Sequence, residues 1–247
     1  MSHDLSEEIL SARKEAVKKM IHLLTSFDIN YIGVGSGSTV KLFIEYLPEE
    51  ILIKKCFISS SFDTSINLRS RGARCVETDL PPEKIDLYID SADEIDREGN
   101  LLKGGGGALF REKIIAYSSE KRFILADYSK LVNFLGSKGK IPIELHPYSL
   151  SYVSRRIREL GMILELRVSS GKVGPVISDN GNIIADIIIN EPIKDPLKID
   201  REIKSIEGVL ATGVFPYMDY VIIVGEKYGE ARVYKGEELL KRFLVSR

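Results

Sequence analysis

The sequence predicts an α/β protein whose parallel sheet is accompanied by a smaller α+β unit. Over roughly the first 130 residues, short apolar runs alternate with segments of helical periodicity, an order typical of a parallel sheet covered by helices. Glycine-rich or polar loops follow several of these runs. Past about Lys138 the alternation is replaced by a different order of strands and helices, which indicates the second unit.

The first part of the chain is expected to begin with a long amphipathic helix, because apolar residues from Ile9 to Leu24 recur at the helical interval. The run Tyr31–Val34 then predicts a strand. The next helix should end at Pro48, since proline has no N–H with which to continue a helix. The helices expected here are 5–24, 40–47, 65–71 and 108–119, and the strands are 31–34, 55–59, 74–77, 85–90 and 122–127.

The second part is expected to form the smaller α+β unit and then to return to the first sheet. Residues 179–182 carry the Asp, Asn and Gly pattern of a tight turn before an apolar strand. The β-branched run 221–225 is of the type buried in a parallel sheet. The strands expected in between are 141–145, 163–168 and 183–189, and the helices are 149–160 and 200–205. We therefore predict one domain from residues 1–133 and 208–247, and a smaller one from residues 134–207.

Composition and charge exclude several classes of protein. The chain has 247 residues, 44% hydrophobic and 29% charged, which is typical of a globular protein with a sizeable core. Its formal net charge of -1 and isoelectric point near 6.4 leave it without the positive field on which nucleic-acid binders depend. No apolar segment is long enough to span a bilayer, and the N-terminus carries no signal-peptide core. We expect a cytoplasmic protein that binds neither nucleic acid nor membranes.

Cysteine and histidine are too few and too scattered to predict a metal site. Cys56 and Cys75 fall short of the four ligands of a structural zinc site and do not resemble a disulfide framework. His3, His22 and His146 form no pair at metal-ligand spacing. We expect reduced, structural thiols and no bound metal.

The first chemical motif is a glycine-serine loop, Gly33-Val-Gly-Ser-Gly-Ser-Thr39, between a strand and a helix. Glycines let backbone N–H groups approach an anion, and the start of a helix adds partial positive charge. The hydroxyls of Ser36, Ser38 and Thr39 add further donors. Ser38 occupies the place of the third glycine of a dinucleotide fingerprint, which disfavours a nicotinamide oxidoreductase, and no lysine follows as in a P-loop. A phosphate site and a simple capped turn both remain open for this motif alone.

The second motif is Asp90-Ser-Ala-Asp-Glu94, at the end of an apolar strand. Carboxylates at strand ends of an α/β sheet point toward the usual ligand crevice, where they can bind sugar hydroxyls or transfer protons. The alternative is that Asp90 and Asp93 only form turns and cap a helix.

The third motif is Lys103-Gly-Gly-Gly-Gly-Ala-Leu-Phe-Arg-Glu-Lys113. Ordering four consecutive glycines costs conformational entropy. A backbone that a ligand approaches closely explains them better than a loop without a function does. Lys103 can stabilise an oxyanion, and Glu112 can abstract a proton. The alternative is that Glu112 is merely an acid in the first turn of a helix and Lys103 is solvated.

Two further polar segments also follow strands. Asp127-Tyr-Ser-Lys130 offers another cation, Lys130, for a phosphate or sugar, and Ser59-Ser-Ser-Phe-Asp-Thr64 offers hydroxyls. Because the carboxyl ends of parallel strands meet at one edge of a sheet, these loops favour a single site.

In this order, the motifs resemble those of the ribose-5-phosphate isomerase A family. The resemblance extends over nearly the whole chain, and the segments that carry it are 33–39, 59–61, 90–96, 103–106 with 111–113, 127–130, 178–182, 188–196 and 206–209. It implies a Rossmann-like sheet domain with an inserted ferredoxin-like α+β domain, no cofactor, and a homodimer or homotetramer. Three residues depart from the family pattern: Ser91 replaces a glycine, Phe110 a threonine and Tyr128 an acid.

The resemblance implies an aldose-ketose isomerase that interconverts D-ribose 5-phosphate and D-ribulose 5-phosphate through an enediolate, in the non-oxidative pentose phosphate pathway. Glu112 would move the proton and Lys103 would stabilise the enediolate oxygen, while Asp90 and Asp93 would orient hydroxyls or assist ring opening. The residues implied to bind the sugar phosphate are Ser36, Gly37, Ser38, Thr39, Asp90, Ser91, Ala92, Asp93, Lys103, Gly104, Gly105, Gly106 and Lys130.

Two other functions stay open from the residues alone. An amino-sugar phosphate deaminase could use a similar sheet and similar loops. A sugar-sensing module of a transcriptional regulator would bind without turnover, but the helix before Tyr31 has no helix-turn-helix partner.

Overall fold

The structure is a computed structural model that describes residues 2–77, 80–235 and 238. Over these residues the α-helices are α1 (Ser2–Leu24), α2 (Ser38–Tyr46), α3 (Glu49–Lys54), α4 (Phe62–Ser70), α5 (Leu109–Ser118), α6 (Leu150–Glu159) and α7 (Pro196–Lys204). The strands are β1 (Tyr31–Val34), β2 (Cys56–Ser59), β3 (Cys75–Glu77), β4 (Ile85–Ser91), β5 (Glu94–Ile95), β6 (Leu101–Leu102), β7 (Ser119–Asp127), β8 (Lys140–Leu145), β9 (Ile163–Leu166), β10 (Val168–Ser169), β11 (Lys172–Pro175), β12 (Ile183–Ile188), β13 (Val209–Thr212), β14 (Val214–Phe215), β15 (Tyr220–Gly225) and β16 (Arg232–Lys235). None of the described helices combines the length and apolarity needed to cross a bilayer.

The described residues form two compact units. The first draws on the described residues within Met1–Ala92, Ile114–Leu131 and Asp219–Arg247, and the second on Asp93–Lys113 and Val132–Met218. Residues 93–113 therefore belong to the second unit by their contacts, whereas the sequence-based boundaries include them in the first domain. Those boundaries, 1–133 with 208–247 and 134–207, stay a prediction, and their last residues, 239–247, lie outside the described part of the chain.

The first unit is built on a seven-stranded sheet in the order β16-β15-β7-β4-β1-β2-β3. All neighbours are parallel except β16, which runs antiparallel to β15 at the edge. Read from β3 to β15, this is the strand order of the Rossmann fold, and its topological switch point lies between β1 and β4. The apolar face of α1, including Ala16, Val17 and Met20, is buried in the same cluster as strand residues such as Ile32 and Leu87. The prediction of a Rossmann-like parallel sheet is confirmed.

The second unit contains a four-stranded antiparallel sheet in the order β13-β8-β12-β9. The chain order β8-α6-β9-β12-α7-β13 is the β-α-β-β-α-β pattern of a ferredoxin-like domain. Helices α6 and α7 bury Val153, Ile157 and Ile203 in the core beside this sheet. Smaller sheets, β14-β6-β5 and β10-β11, complete the unit. The predicted inserted α+β domain is confirmed as a fold.

The expectation of two reduced thiols is wrong. Strands β2 and β3 place Cys56 directly opposite Cys75, with the Cα atoms 4.6 Å apart, and the two sulfurs form a disulfide. Glu77 has a carboxylate close to both sulfurs, but sulfurs bonded to one another are not thiolate ligands. The 19-residue spacing of the cysteines does not reveal this pairing, because the register of two parallel strands decides it.

We expect the double substitution Cys56→Ser with Cys75→Ser to lower the free energy of unfolding by about 3 kcal/mol, the chain-entropy value for a loop of this length. Urea denaturation of oxidised wild type and variant measures the difference. Reductant should destabilise the wild type and leave the variant unchanged. Equal stability of reduced and oxidised wild type would contradict this expectation.

Candidate active site

The glycine-serine loop follows β1 at the topological switch point of the parallel sheet. The N–H of Gly35 donates to the carbonyl of Ile89 in β4 (2.9 Å), so the loop starts close to the neighbouring strand. Gly37 precedes the first residue of α2 and has a φ of 95°, which favours glycine. The sequence motif thus forms a strand-turn-helix element whose helix begins at Ser38, the geometry of an anion site.

Asp90, near the end of β4, is fully buried and hydrogen-bonds to the backbone of this loop. Its carboxylate accepts hydrogen bonds from the backbone N–H groups of Ser36 (3.3 Å) and Ser91 (2.7 Å) and from the hydroxyl of Tyr88. Asp90 therefore fixes the backbone at Ser36, after β1, and at Ser91, at the end of β4. A turn-forming role alone does not account for a carboxylate buried at this position.

We expect Gly35→Ala to weaken anion binding at this loop, because a Cβ atom there would overlap the carboxyl carbon and both oxygens of Asp90. Overpacking of a buried site costs roughly 1–3 kcal/mol and would displace the loop. Calorimetric titration with inorganic phosphate should show a raised Kd. Gly171→Ala is the matched control, since a Cβ atom at Gly171 meets nothing within 4 Å. An unchanged phosphate affinity in Gly35→Ala would show that the loop is not an anion site.

The hydroxyls predicted at the end of β2 hydrogen-bond to one another and to the backbone of the glycine-serine loop. Thr64 donates to the carbonyl of Gly35 (2.7 Å), and Ser61 donates to the hydroxyl of Thr64 (3.0 Å). Ser59, Ser61 and Thr64 are buried. They therefore hold the loop's backbone in place.

Arg13 is a residue of this region that the sequence motifs do not reveal. Its guanidinium donates from α1 to the Asp127 carboxylate (2.8 Å) and to the Ser38 hydroxyl (3.2 Å). Burial raises the pKa of Asp127, but hydrogen bonds from Ser129 and Arg13 outweigh it and hold that pKa below its usual value. Asp127 also caps the short turn that carries Lys130. A helical arginine 25 residues from the loop gives no sequence signal of this contact.

In the second unit, Lys103 and Glu112 form a buried ion pair. The Lys103 ammonium lies 3.2 Å from a carboxylate oxygen of Glu112, and the two side chains are 4% and 3% exposed. The ammonium also lies 5.6 Å from the centre of the Phe215 ring. The alternative of a solvated Lys103 is wrong. A buried carboxylate beside a buried ammonium is a suitable pair for moving a proton next to a developing oxyanion.

The glycine run, Gly104 to Gly107, lies between the two members of this pair in the sequence. Gly104 has a φ of 101°, and a Cβ atom there would lie 2.8 Å from Cβ of Pro142, so both conformation and space favour glycine. The N–H of Gly105 donates to the carboxylate of the half-buried Asp93 (2.9 Å). Asp93 is thus hydrogen-bonded to the glycine run.

Helix α5 holds Glu112 between two anchored neighbours. The Lys113 ammonium donates to the Asp200 carboxylate (2.9 Å) and to the carbonyl of Val214 (2.7 Å). Burial lowers the pKa of Lys113, partly offset by the charge of Asp200. Arg111 donates to the side-chain oxygen of Asn180 (2.6 Å). The first turn of α5 is therefore fixed.

The predicted site residues fall into two sets, one in each unit. The first set is Ser36, Gly37, Ser38, Thr39, Asp90, Ser91, Ala92 and Lys130, and the second is Asp93, Lys103, Gly104, Gly105, Gly106 and Glu112. Ala92 and Asp93 are consecutive in the chain.

Comparison with known proteins identifies the family. The model of ribose 5-phosphate isomerase A (phosphoriboisomerase A) matches residues 56–229, which include the end of β4, the glycine run and Glu112. The chain belongs to the ribose 5-phosphate isomerase A family. Ribose-5-phosphate isomerase A of Methanococcus vannielii is 40% identical over 196 residues, covering 78% of this chain and 81% of that protein.

Solved structures of isomerases in this family share the fold over nearly all of the chain. Ribose 5-phosphate isomerase A of Methanocaldococcus jannaschii has a TM-score of 0.82 and 34% identity, covering 91% of this chain and 98% of that one. A D-ribose-5-phosphate isomerase in complex with phospho-erythronic acid has a TM-score of 0.83 and 32% identity, covering 92% and 99%. At this identity and coverage, the ribose 5-phosphate isomerase A fold extends through both units.

Proposed function

We propose that this chain interconverts D-ribose 5-phosphate and D-ribulose 5-phosphate by proton transfer through an enediolate, a reaction of the pentose phosphate pathway. The observation that carries the proposal is the buried Lys103–Glu112 pair, 3.2 Å apart, in a chain of this family. The reaction needs a base for a carbon-bound proton and a cation for the oxygen that gains charge, and this pair offers both.

Glu112 acts as the base on the open-chain sugar. Its carboxylate takes the proton from C2 of the aldose, and the electrons of that C–H bond form the C1–C2 double bond while the C1 oxygen becomes negative. Lys103 stabilises this oxygen. Glu112 then returns the proton to C1, and the proton of the C2 hydroxyl moves to the C1 oxygen, which leaves the carbonyl at C2. No electrons leave the substrate, so the step balances without an oxidant or reductant.

The remaining predicted residues are assigned to binding. The N–H groups and hydroxyls of Ser36, Gly37, Ser38 and Thr39 bind the phosphate together with Lys130, in the anion-site geometry of a helix start. Further contacts come from Ser91, Ala92, Gly104, Gly105 and Gly106.

Asp90 and Asp93 have different surroundings in the structure. Asp93 orients a sugar hydroxyl or assists ring opening, which its partial exposure supports. Asp90 positions the phosphate loop, since it is buried and accepts bonds from the loop's backbone. These assignments separate the roles of the two aspartates, which the sequence leaves unresolved.

We also propose that the enzyme acts without metal ion or organic cofactor, in the cytoplasm, as a homodimer or homotetramer. An internal proton transfer between carboxylate and sugar supplies the chemistry that a cofactor would otherwise provide.

The test is turnover of ribose 5-phosphate by purified protein treated with a chelator, followed by the appearance of ribulose 5-phosphate. Glucosamine 6-phosphate is assayed in parallel for release of ammonia, the reaction of an amino-sugar phosphate deaminase. We expect turnover of the pentose phosphate and no ammonia. Ammonia release would favour the deaminase, and binding of ribose 5-phosphate without turnover would favour a sugar-sensing module.

A further inference from the structure

Arg167 lies directly after β9 and donates hydrogen bonds to carbonyl oxygens of the glycine run. Its Nη1 donates to the carbonyl oxygens of Gly104 (2.6 Å) and Gly105 (3.2 Å). Its Nε donates to a carboxylate oxygen of Asp186 in β12 (3.0 Å), and Nη2 pairs with the other oxygen. The two side chains are only 16% and 11% exposed. One guanidinium therefore joins a fixed carboxylate to two consecutive glycine carbonyls.

Because each peptide is planar, the two hydrogen bonds to the glycine carbonyls also fix the direction of the N–H groups in the same peptides. In a trans peptide the carbonyl and the N–H point in opposite directions, and no described peptide is cis. With the Gly104 carbonyl on Arg167, the Gly105 N–H points away from the guanidinium and reaches Asp93 at 2.9 Å. With the Gly105 carbonyl on Arg167, the Gly106 N–H likewise points away from the guanidinium.

Within the run, the Gly107 N–H donates to the Gly104 carbonyl (3.0 Å), and Arg167 anchors the run from outside. Glycine has no side chain with which to hold itself and loses more conformational freedom on folding than other residues. A positive charge bonded to the carbonyls also polarises the peptides, which strengthens the N–H groups as donors. The arginine guanidinium is planar and carries several N–H donors, so it can bind two carbonyls and a carboxylate at once. A lysine ammonium, in contrast, is a single point charge.

We propose that Arg167, held by Asp186, is a positioning residue that orients the Gly106 N–H toward the oxygens of the reacting sugar and the Gly105 N–H toward the Asp93 carboxylate. The proposal rests on the proposed function, in which the glycine run binds the substrate. Arg167 touches neither substrate nor reacting atoms in this role. It acts through the run and through Asp93.

The kinetic test compares Arg167→Met and Arg167→Lys with the wild type, using ribose 5-phosphate. Displacing oriented donors by a fraction of an ångström should lower kcat about 10- to 100-fold in Arg167→Met. KM should change far less, because the loop after β1 binds the phosphate. Arg167→Lys should recover only part of kcat, and Asp186→Asn should lose part of it. Arg156→Met is the matched control, an arginine paired with Glu159 on the exposed face of α6.

Two further readouts separate positioning from loss of fold. Calorimetric titration with phospho-erythronic acid, whose carboxylate resembles the two oxygens of an enediolate, should give one site per chain in Arg167→Met but weaker affinity. Hydrogen exchange should accelerate in peptides covering 103–108 and stay unchanged in β8 and β12. Faster exchange in that segment does not depend on the substrate, so it is informative even if ribose 5-phosphate proves not to be turned over.

An Arg167→Met protein with one site per chain, wild-type kcat and unchanged exchange over 103–108 would overturn the proposal. A wild type without turnover would instead overturn the proposed function. Reduced stoichiometry together with faster exchange throughout β8 and β12 would show a purely structural role and would also overturn it.

Discussion

Glu112→Gln is expected to abolish most isomerisation while leaving substrate binding intact. Glutamine keeps the size of the side chain and a polar oxygen beside Lys103, but its amide cannot accept the proton from carbon. A positioned general base contributes roughly 10²- to 10⁴-fold to a rate, so kcat should fall by a factor in that range. Stopped-flow or coupled assays with ribose 5-phosphate measure kcat, and calorimetry with phospho-erythronic acid measures binding.

The control is Glu202→Gln, which makes the same change on an exposed position of helix α7 in the same unit. It should leave kcat unaltered. A near-normal kcat in Glu112→Gln would contradict the proposed mechanism, whatever the effect of the substitution on KM.

Lys103→Met is expected to damage both stability and catalysis. Methionine fills a similar volume without charge, so Glu112, 3% exposed, would lose its partner inside the protein. Breaking a buried ion pair by removing one member costs about 3–5 kcal/mol. The enediolate oxygen would lose its cation as well, so kcat should fall in the protein that remains folded. Urea denaturation and kinetics corrected for the folded fraction measure the two effects.

A double-mutant cycle with Glu112→Gln makes this expectation specific to the pair. The double variant has no buried unpaired charge, so it should be more stable than the sum of the two single effects implies. Lys198→Met, on the exposed side of α7, is the control and should change neither quantity. Additive losses of stability would mean that Lys103 and Glu112 do not interact in solution.

Several elements of the fold follow from local patterns, and others do not. The helix over α1 and the strands β1, β2 and β4 were predictable because their apolar residues repeat at the interval of one buried face or form one buried run. Pro48 marks the end of α2, but it also precedes the first residue of α3, a helix the sequence did not predict. Helix α7 starts at Pro196 after its Asp195 cap, earlier than the predicted 200–205, because proline suits a first turn. The two-residue strands β5, β6, β10 and β14 carry too few residues to show any period.

The sequence by itself determined the α/β class, the motif residues and the family, because these depend on residues close together in the chain, whose spacing and backbone preferences are readable. Only the tertiary structure decided that Lys103 is buried against Glu112, that Asp90 hydrogen-bonds to the loop after β1, and that Cys56 is bonded to Cys75. The contacts of Arg13 with Ser38 and of Arg167 with Gly104 join residues 25 and 63 positions apart. Such contacts depend on strand order, register and the direction of side chains across a sheet, and no local pattern encodes them.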